Sequence, residues 1–194
     1  MKLKMLCSAL AGASLLLSAC GGSDGSSAAA PTKNVLFFLG DGMGITTMTA
    51  ARIYSVGEDG ELTMDKLPET AFVHTFSNDA QVTDSAPSMA AYMTGVKMNN
   101  EVISMTPDTK ATDAAGKAYH TNYDSTCPSG NGQAVPTLLE QMKSAGYGTG
   151  VVSTARITHA TPATTYSHVC HRDAENTIAA VSYTHLRAHE TSLH

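Results

Sequence analysis

A short apolar run that ends in a glycine-flanked carboxylate constrains this chain most. Five consecutive apolar residues, Val35–Leu39, lead directly into Gly40, Asp41 and Gly42. The run is too short for a buried helix and glycines end it, so it predicts a strand buried on both faces of a parallel sheet. Ligands of open α/β sheets bind beyond the carboxyl ends of the strands, where Asp41 could serve as a catalytic acid or metal ligand. A simple turn is the alternative, because Gly-Asp-Gly is common in turns.

Helical and strand patterns alternate along the rest of the chain. The 194 residues are 42% hydrophobic, which is enough for the core of one domain. A formal charge of -5 provides no basic footprint, so we expect no nucleic-acid partner. The predicted order is a helix over Ile45–Val56, a strand over Ala71–Ser77, a helix over Ser85–Val96, an irregular polar excursion over Asn99–Val135, a helix over Pro136–Ala145 and a strand over Gly148–Ser153. This alternation predicts an α/β fold with a largely parallel central sheet flanked by helices.

The N-terminus has the pattern of an export signal. Two lysines precede an apolar run that is too short to span a bilayer. The run ends in Leu-Ser-Ala-Cys, which predicts a lipoprotein signal peptide over residues 1–19, a lipid on Cys20 and a flexible tether over residues 20–32. A plain cleaved signal is the alternative. The lipid would anchor the protein to a membrane of the bacterial cell envelope, on the periplasmic or outer-surface side.

Two cysteines, Cys127 and Cys170, remain in the exported part of the chain. In an oxidising compartment two such cysteines are expected to form a disulfide with each other. Two free thiols are the alternative.

A candidate nucleophile, Ser85, lies where a loop gives way to a predicted helix. Backbone N–H groups and the positive end of the helix dipole would face an anion held there. No histidine is adjacent, so a protease-like triad has no local support, and metal coordination is the other way to activate the hydroxyl. The structural alternative is that Thr83, Asp84 or Ser85 only caps the helix, which is compatible with catalysis.

A further polar segment, residues 153–162, follows the last predicted strand. Within it, His159 and Thr161 are two residues apart, so on an extended chain their side chains would point the same way. Ten residues after Pro162 comes Arg172, whose guanidinium is suited to gripping a phosphate through two parallel N–H bonds. Taken singly, these residues could equally be a surface histidine, a capping threonine and a solvated arginine.

Together these motifs resemble those of the alkaline phosphatases, in the family's order and spacing. The matching stretches, which extend over roughly Pro31–Asn176, are Asn34–Gly44, Thr49–Arg52, Val82–Ala86, Thr94–Lys97 and Ser153–Pro162. The resemblance implies the family's α/β sandwich, incomplete here, with residues 33–180 as the N-terminal part of its catalytic domain. A disulfide between Cys127 and Cys170 would then tie the polar excursion to the Arg172 loop.

The resemblance implies a hydrolase of phosphate monoesters that uses two zinc ions and one magnesium ion. Ser85 would be the nucleophile that forms a phosphoserine intermediate, Arg172 would hold two phosphate oxygens, and Asp84 would orient that arginine. The residues implied as metal ligands are Asp41, which would bridge a zinc and the magnesium, Ser85, Thr161 and His159, which stands where some members have an aspartate. Dimers are common in the family, so a homodimer of the full-length protein is an expectation by analogy.

The resemblance stops after Ala180, and the family's later metal ligands do not follow. Residues 181–194 begin Val-Ser-Tyr-Thr-His-Leu-Arg-Ala-His-Glu-Thr, which is the translation of a transposase-type sequencing adapter. We interpret them as a non-native tail on a truncated sequence, and the i, i+4 pair His185 and His189 as accidental. We therefore expect no turnover by the 194-residue chain itself, and the implied activity belongs to its parent protein.

Other functions stay open at this point. A sulfatase or phosphodiesterase of the same metal-hydrolase superfamily could share the fold and the hydroxyl nucleophile. A nucleotide-binding domain is hinted at by Gly40, Gly42 and Gly44, but Ile45 occupies the third fingerprint position and no P-loop is present. A non-catalytic surface lipoprotein is the remaining class.

Overall fold

The structure, a computed structural model, describes the backbone of residues 34–185 and the side chains of residues 34–182. The predicted signal peptide, the predicted lipidation site Cys20, the whole tether and the end of the tail lie outside the described residues. The chain divides into two compact units, Met1–Leu39 and Gly40–His194. Among the described residues, no helix has both the length and the apolar character needed to cross a membrane.

Short helices joined by irregular segments make up the described part of the second unit. In chain order the elements are α1 (Ile45–Val56), a 3-10 turn (Thr63–Lys66), α2 (Ser85–Thr94), β1 (His120–Thr121), β2 (Asp124–Ser125), α3 (Leu138–Ser144), α4 (Ala160–Ala163) and α5 (Glu175–His185). The predicted bounds of α1 are confirmed. Helix α2 ends earlier than predicted because Gly95 takes a left-handed conformation with φ of 72°.

Helix α3 starts two residues later than its sequence predicts. Proline at the first turn suggested a start at Pro136, but Thr137 is the N-cap and accepts a hydrogen bond from the backbone N–H of Glu140. The Glu140 carboxylate in turn accepts from the backbone N–H of Thr137 at 2.8 Å. This reciprocal capping box fixes the start of the helix, so Pro136 lies just outside it.

The three predicted parallel strands, Val35–Leu39, Ala71–Ser77 and Gly148–Ser153, are not strands in the described structure. A buried strand needs paired neighbours and cover on both faces. Phe38 is 87% exposed, Phe72 is 85% exposed and Val152 is 100% exposed, so large apolar side chains in all three segments lack the cover of a buried strand. The sheet that the structure does describe is the antiparallel pair of β1 and β2. The apolar patterns identified hydrophobic segments correctly, but a β-sheet also requires neighbouring strands with which each segment can pair.

The core of the second unit lies where the start of α2 meets α4, α5 and the chain between them. Its buried members are Ala86, Ile103, Ala160, Ala163, Tyr166, Val169, Ala174 and Ile178. A smaller cluster under α2 contains Ala90, Met98 and Val102. These clusters hold in place helix α2, which begins with Ser85, and the loop before α5, which contains Arg172. Helix α1, by contrast, has no buried residue.

The excursion over residues 99–135 is irregular apart from the short β1–β2 hairpin, and it packs closely onto the rest of the second unit. Ile103 pairs with Val169 through two backbone hydrogen bonds of 2.9 and 3.0 Å. A disulfide joins Cys127 to Cys170, with the Cα atoms 6.0 Å apart, which confirms the predicted bond. The segment therefore fixes the chain on the N-terminal side of Arg172.

Candidate active site

Arg172 is the centre of the candidate site. Its Nη1 donates to Asp84 Oδ1 at 3.1 Å and to Ser85 Oγ at 3.0 Å. Its Nη2 lies 3.2 Å from His159 Nε2. Because a guanidinium only donates, that histidine nitrogen must accept. Three residues singled out from the sequence, Asp84, Ser85 and His159, thus meet around the guanidinium of a fourth, Arg172, whose side chain is only 18% exposed.

Asp84 has both roles that the sequence allowed. As the N-cap of α2 it accepts a hydrogen bond from Ala86 N at 2.6 Å, and the same oxygen accepts from Arg172. Ser85 is the first residue of the helix, so its hydroxyl extends from the N-terminal turn toward the guanidinium. A positive charge beside this hydroxyl favours negative charge on its oxygen, as a nucleophile of phosphorus requires.

Glu101 contacts both Asp84 and Arg172, and it was not predicted as a site residue from the sequence. Its backbone N–H donates to Asp84 Oδ2 at 2.5 Å, and its carbonyl accepts from Arg172 N at 2.8 Å. Its carboxylate lies 3.9 Å from Arg172 Nε. Burial, and then the negative charge of Asp84, raise the pKa of Glu101. The residue has φ of 70°, which non-glycine residues seldom adopt, and no local sequence signal announces such a conformation.

A hydrogen bond between Asp41 and Thr161 brings together distant parts of the sequence. Thr161 Oγ1 donates to Asp41 Oδ2 at 2.7 Å across 120 residues. The expectation that His159 and Thr161 share a face of an extended segment is wrong, because α4 begins between them at Ala160. The histidine therefore reaches Arg172 while the threonine reaches the aspartate.

The spacing of the Asp41–Thr161 pair is compatible with the magnesium ligands that the family resemblance implied. Magnesium bonds of about 2.0–2.1 Å at right angles place neighbouring ligand oxygens about 2.9 Å apart, close to the observed separation. His159 Nδ1 is buried and has no hydrogen-bond partner among the described residues. Its Nε2 is occupied by Arg172, and its part in metal binding stays a prediction.

Comparisons with known proteins agree on one family. The family model described as alkaline phosphatase matches residues 32–192. The mouse tissue-nonspecific isozyme of alkaline phosphatase is 40% identical over 147 residues, which cover 73% of this chain and 26% of that protein. The alkaline phosphatase of the Antarctic bacterium TAB5 superposes with a TM-score of 0.59 at 26% identity, covering 75% of this chain and 35% of that one. A histidine-to-glutamate variant of that enzyme, with Mg bound in its M3 site, matches equally.

The matched region contains every residue of the candidate site, from Asp41 to Arg172. The chain spans about a quarter of the length of the curated relatives it matches. The partly formed α/β structure described above is consistent with a portion of the fold that the bacterial enzymes share. On these findings the chain belongs to the alkaline phosphatase family.

Proposed function

We propose that the protein containing this chain hydrolyses phosphate monoesters through a phosphoserine intermediate. The observation that carries the proposal is the 3.0 Å contact between Arg172 Nη1 and Ser85 Oγ. A phosphate held by the guanidinium would lie beside the hydroxyl that must attack it. Membership of the family supports the reaction class.

Each residue around the guanidinium has a definable task in this reaction. Arg172 holds oxygens of the phosphoryl group, and Asp84 and Glu101 keep the guanidinium in place. Ser85 Oγ attacks phosphorus, so that the serine O–P bond forms as the bond to the ester oxygen breaks. The serine proton passes to solvent, and the ester oxygen takes up a proton from solvent and leaves as the alcohol. Water then cleaves the phosphoserine, which returns the serine hydroxyl and releases inorganic phosphate.

Metal ions complete the proposed site. Asp41 and Thr161 would hold a magnesium ion, with Asp41 and Ser85 also contacting zinc and His159 close to the metals. The two zinc ions and one magnesium ion would supply Lewis-acid activation of the serine hydroxyl and the leaving oxygen. The Mg found in the TAB5 variant supports the magnesium assignment.

The test compares a chromogenic phosphate monoester with the matching diester in the full-length protein. We expect monoester turnover to exceed diester turnover, and Ser85→Ala to lower kcat by about three orders of magnitude or more. Ser144→Ala is the matched control, because that serine lies on α3 and bonds only to Glu140 O in its own helix. Wild-type monoester turnover in Ser85→Ala, or preferred diester turnover, would refute the proposal.

We also propose that a lipid on Cys20 anchors the protein in the bacterial cell envelope and that the full-length protein forms a homodimer. The Leu-Ser-Ala-Cys sequence supports the first statement, and family analogy supports the second. Metabolic labelling with a radioactive fatty acid should mark the wild type and not Cys20→Ser. Equal labelling of both would contradict the anchor.

A further inference from the structure

Three potential metal ligands lie beside Arg172 without contributing to the site described above. His120 is the first residue of β1, and His171 and Asp173 flank the arginine in sequence. Each offers one ligand atom, and the three atoms lie within 4.8 Å of one another. The two imidazole rings are 4.5 Å apart between centroids and tilted by 43°.

The composition and spacing of this cluster fit zinc. Two imidazoles and a carboxylate form a common three-ligand zinc set, with a fourth position left for water. Zinc bonds of about 2.0–2.2 Å in tetrahedral geometry place two ligand atoms roughly 3.4 Å apart. His120 Nε2 and Asp173 Oδ2 are 3.8 Å apart, which is too long for a hydrogen bond and close to that spacing.

Burial and solvent access also suit an ion bound at this cluster. His171 is 5% exposed, whereas the side chain of Asp173 is 54% exposed, so an ion could enter from solvent and meet a buried ligand. His120 Nδ1 is buried without a hydrogen-bond partner.

One hydrogen bond opposes metal binding. His171 Nδ1 accepts from Asp173 N at 3.1 Å, so in the metal-free ring the proton is on Nε2. Coordination through Nδ1 replaces this hydrogen bond. Coordination through Nε2 moves the proton to Nδ1, which can then no longer accept the bond. A single hydrogen bond of this kind changes an equilibrium by about tenfold. That factor weakens the binding of an ion but does not exclude it.

We propose that His120, His171 and Asp173 form a three-ligand site for a zinc-class divalent cation, separate from the Asp41–Thr161 pair. The ion would fasten the β1–β2 hairpin to the loop that carries Arg172. The Cys127–Cys170 disulfide makes a connection of the same kind, from the chain after β2 to the residue before His171. The inference does not depend on the proposed catalysis.

The test titrates the metal-free 194-residue chain with Zn²⁺ by calorimetry and with Co²⁺ by visible absorption. We expect Asp173→Asn and His120→Gln each to weaken binding at one site by roughly 100-fold, while Asp41→Asn leaves that site unchanged. Asp59→Asn and His74→Gln, at exposed positions, are the matched controls. Equal affinity and stoichiometry in the cluster variants and the controls would overturn the proposal. So would a cobalt band that disappears only in Asp41→Asn.

A second readout follows from the hydrogen bond that must break. In a ¹⁵N-labelled chain, one equivalent of zinc should shift the amide resonance of Asp173, because that N–H loses its bond to His171 Nδ1. The shift should be absent in His120→Gln with unchanged circular dichroism. An Asp173 amide that does not respond to zinc in the wild type would also overturn the proposal.

Discussion

Substitutions of Asp84 measure how much the contacts between the start of α2, which carries Ser85, and Arg172 contribute to the free energy of unfolding. One carboxylate oxygen accepts from Ala86 N at 2.6 Å and from Arg172 Nη1 at 3.1 Å, and the other accepts from Glu101 N at 2.5 Å. Asp84→Ala removes all three bonds. Asp84→Ser keeps a good N-cap for α2 and removes the bonds to Arg172 and Glu101.

The expected losses of stability follow from these contacts. A helix cap contributes about 1 kcal/mol. A hydrogen bond to a charged group contributes about 1.5–3 kcal/mol, and the low end applies because the side chains of Asp84 and Arg172 remain 19% and 18% exposed. We therefore expect Asp84→Ser to lose about 3 kcal/mol of unfolding free energy and Asp84→Ala about 4 kcal/mol.

Urea unfolding followed by circular dichroism measures both variants, with near-ultraviolet signals as a check for a single transition. Asp59→Ala is the control for loss of an exposed carboxylate and should stay within about 0.5 kcal/mol of the wild type. Arg172→Gln combined with Asp84→Ser completes a double-mutant cycle, in which the two losses should be less than additive. Wild-type stability of Asp84→Ser, or full additivity in the cycle, would refute the reasoning.

Two further predictions concern the dependence of stability on pH. Burial raises the pKa of Tyr166 to about 12, and its hydroxyl donates to Ile157 O, so its stabilising effect is complete below about pH 10 and is lost as pH rises through 12. Tyr166→Phe should remove that alkaline loss in melting curves, and an unchanged pH profile would contradict it. Burial opposes ionisation of Glu140, but hydrogen bonds from His168 and Thr137 outweigh it and lower its pKa. This stability is present above about pH 4.5 and is lost as pH falls further, so Glu140→Gln should flatten the acid side of the profile, and equal slopes would contradict it.

The sequence predicted the residues of the candidate site better than the elements that hold them. Ser85 and Arg172 were identified from local motifs whose chemistry does not depend on strand pairing, and the structure places them in contact. The strand over Val35–Leu39 failed because periodicity records which residues are apolar and does not record what pairs with them. Thr161 was predicted to lie on an extended segment, but it lies in the helical turn α4, from which its hydroxyl donates a hydrogen bond to Asp41.

The contacts made by Glu101 depend on long-range packing and could not be read from one sequence. The residue is 17 positions from Asp84 and 71 from Arg172, and only the folded chain brings the three together. The same holds for His120, whose neighbours His171 and Asp173 follow it by about 50 residues. Both residues belong to the excursion over residues 99–135, whose sequence has neither the helical nor the strand periodicity that would indicate a direction for a side chain.

The left-handed backbone at Glu101 has a consequence for protein engineering. Glycine adopts this conformation without strain, so a design procedure that rewards stability alone would favour Glu101→Gly there. That choice would keep the two backbone hydrogen bonds to Asp84 and Arg172 and delete the carboxylate beside the guanidinium. An optimised variant could therefore fold more firmly while its anion-binding arginine lost a charged neighbour. Thermostability screens of this protein would need a separate measure of anion affinity at that arginine.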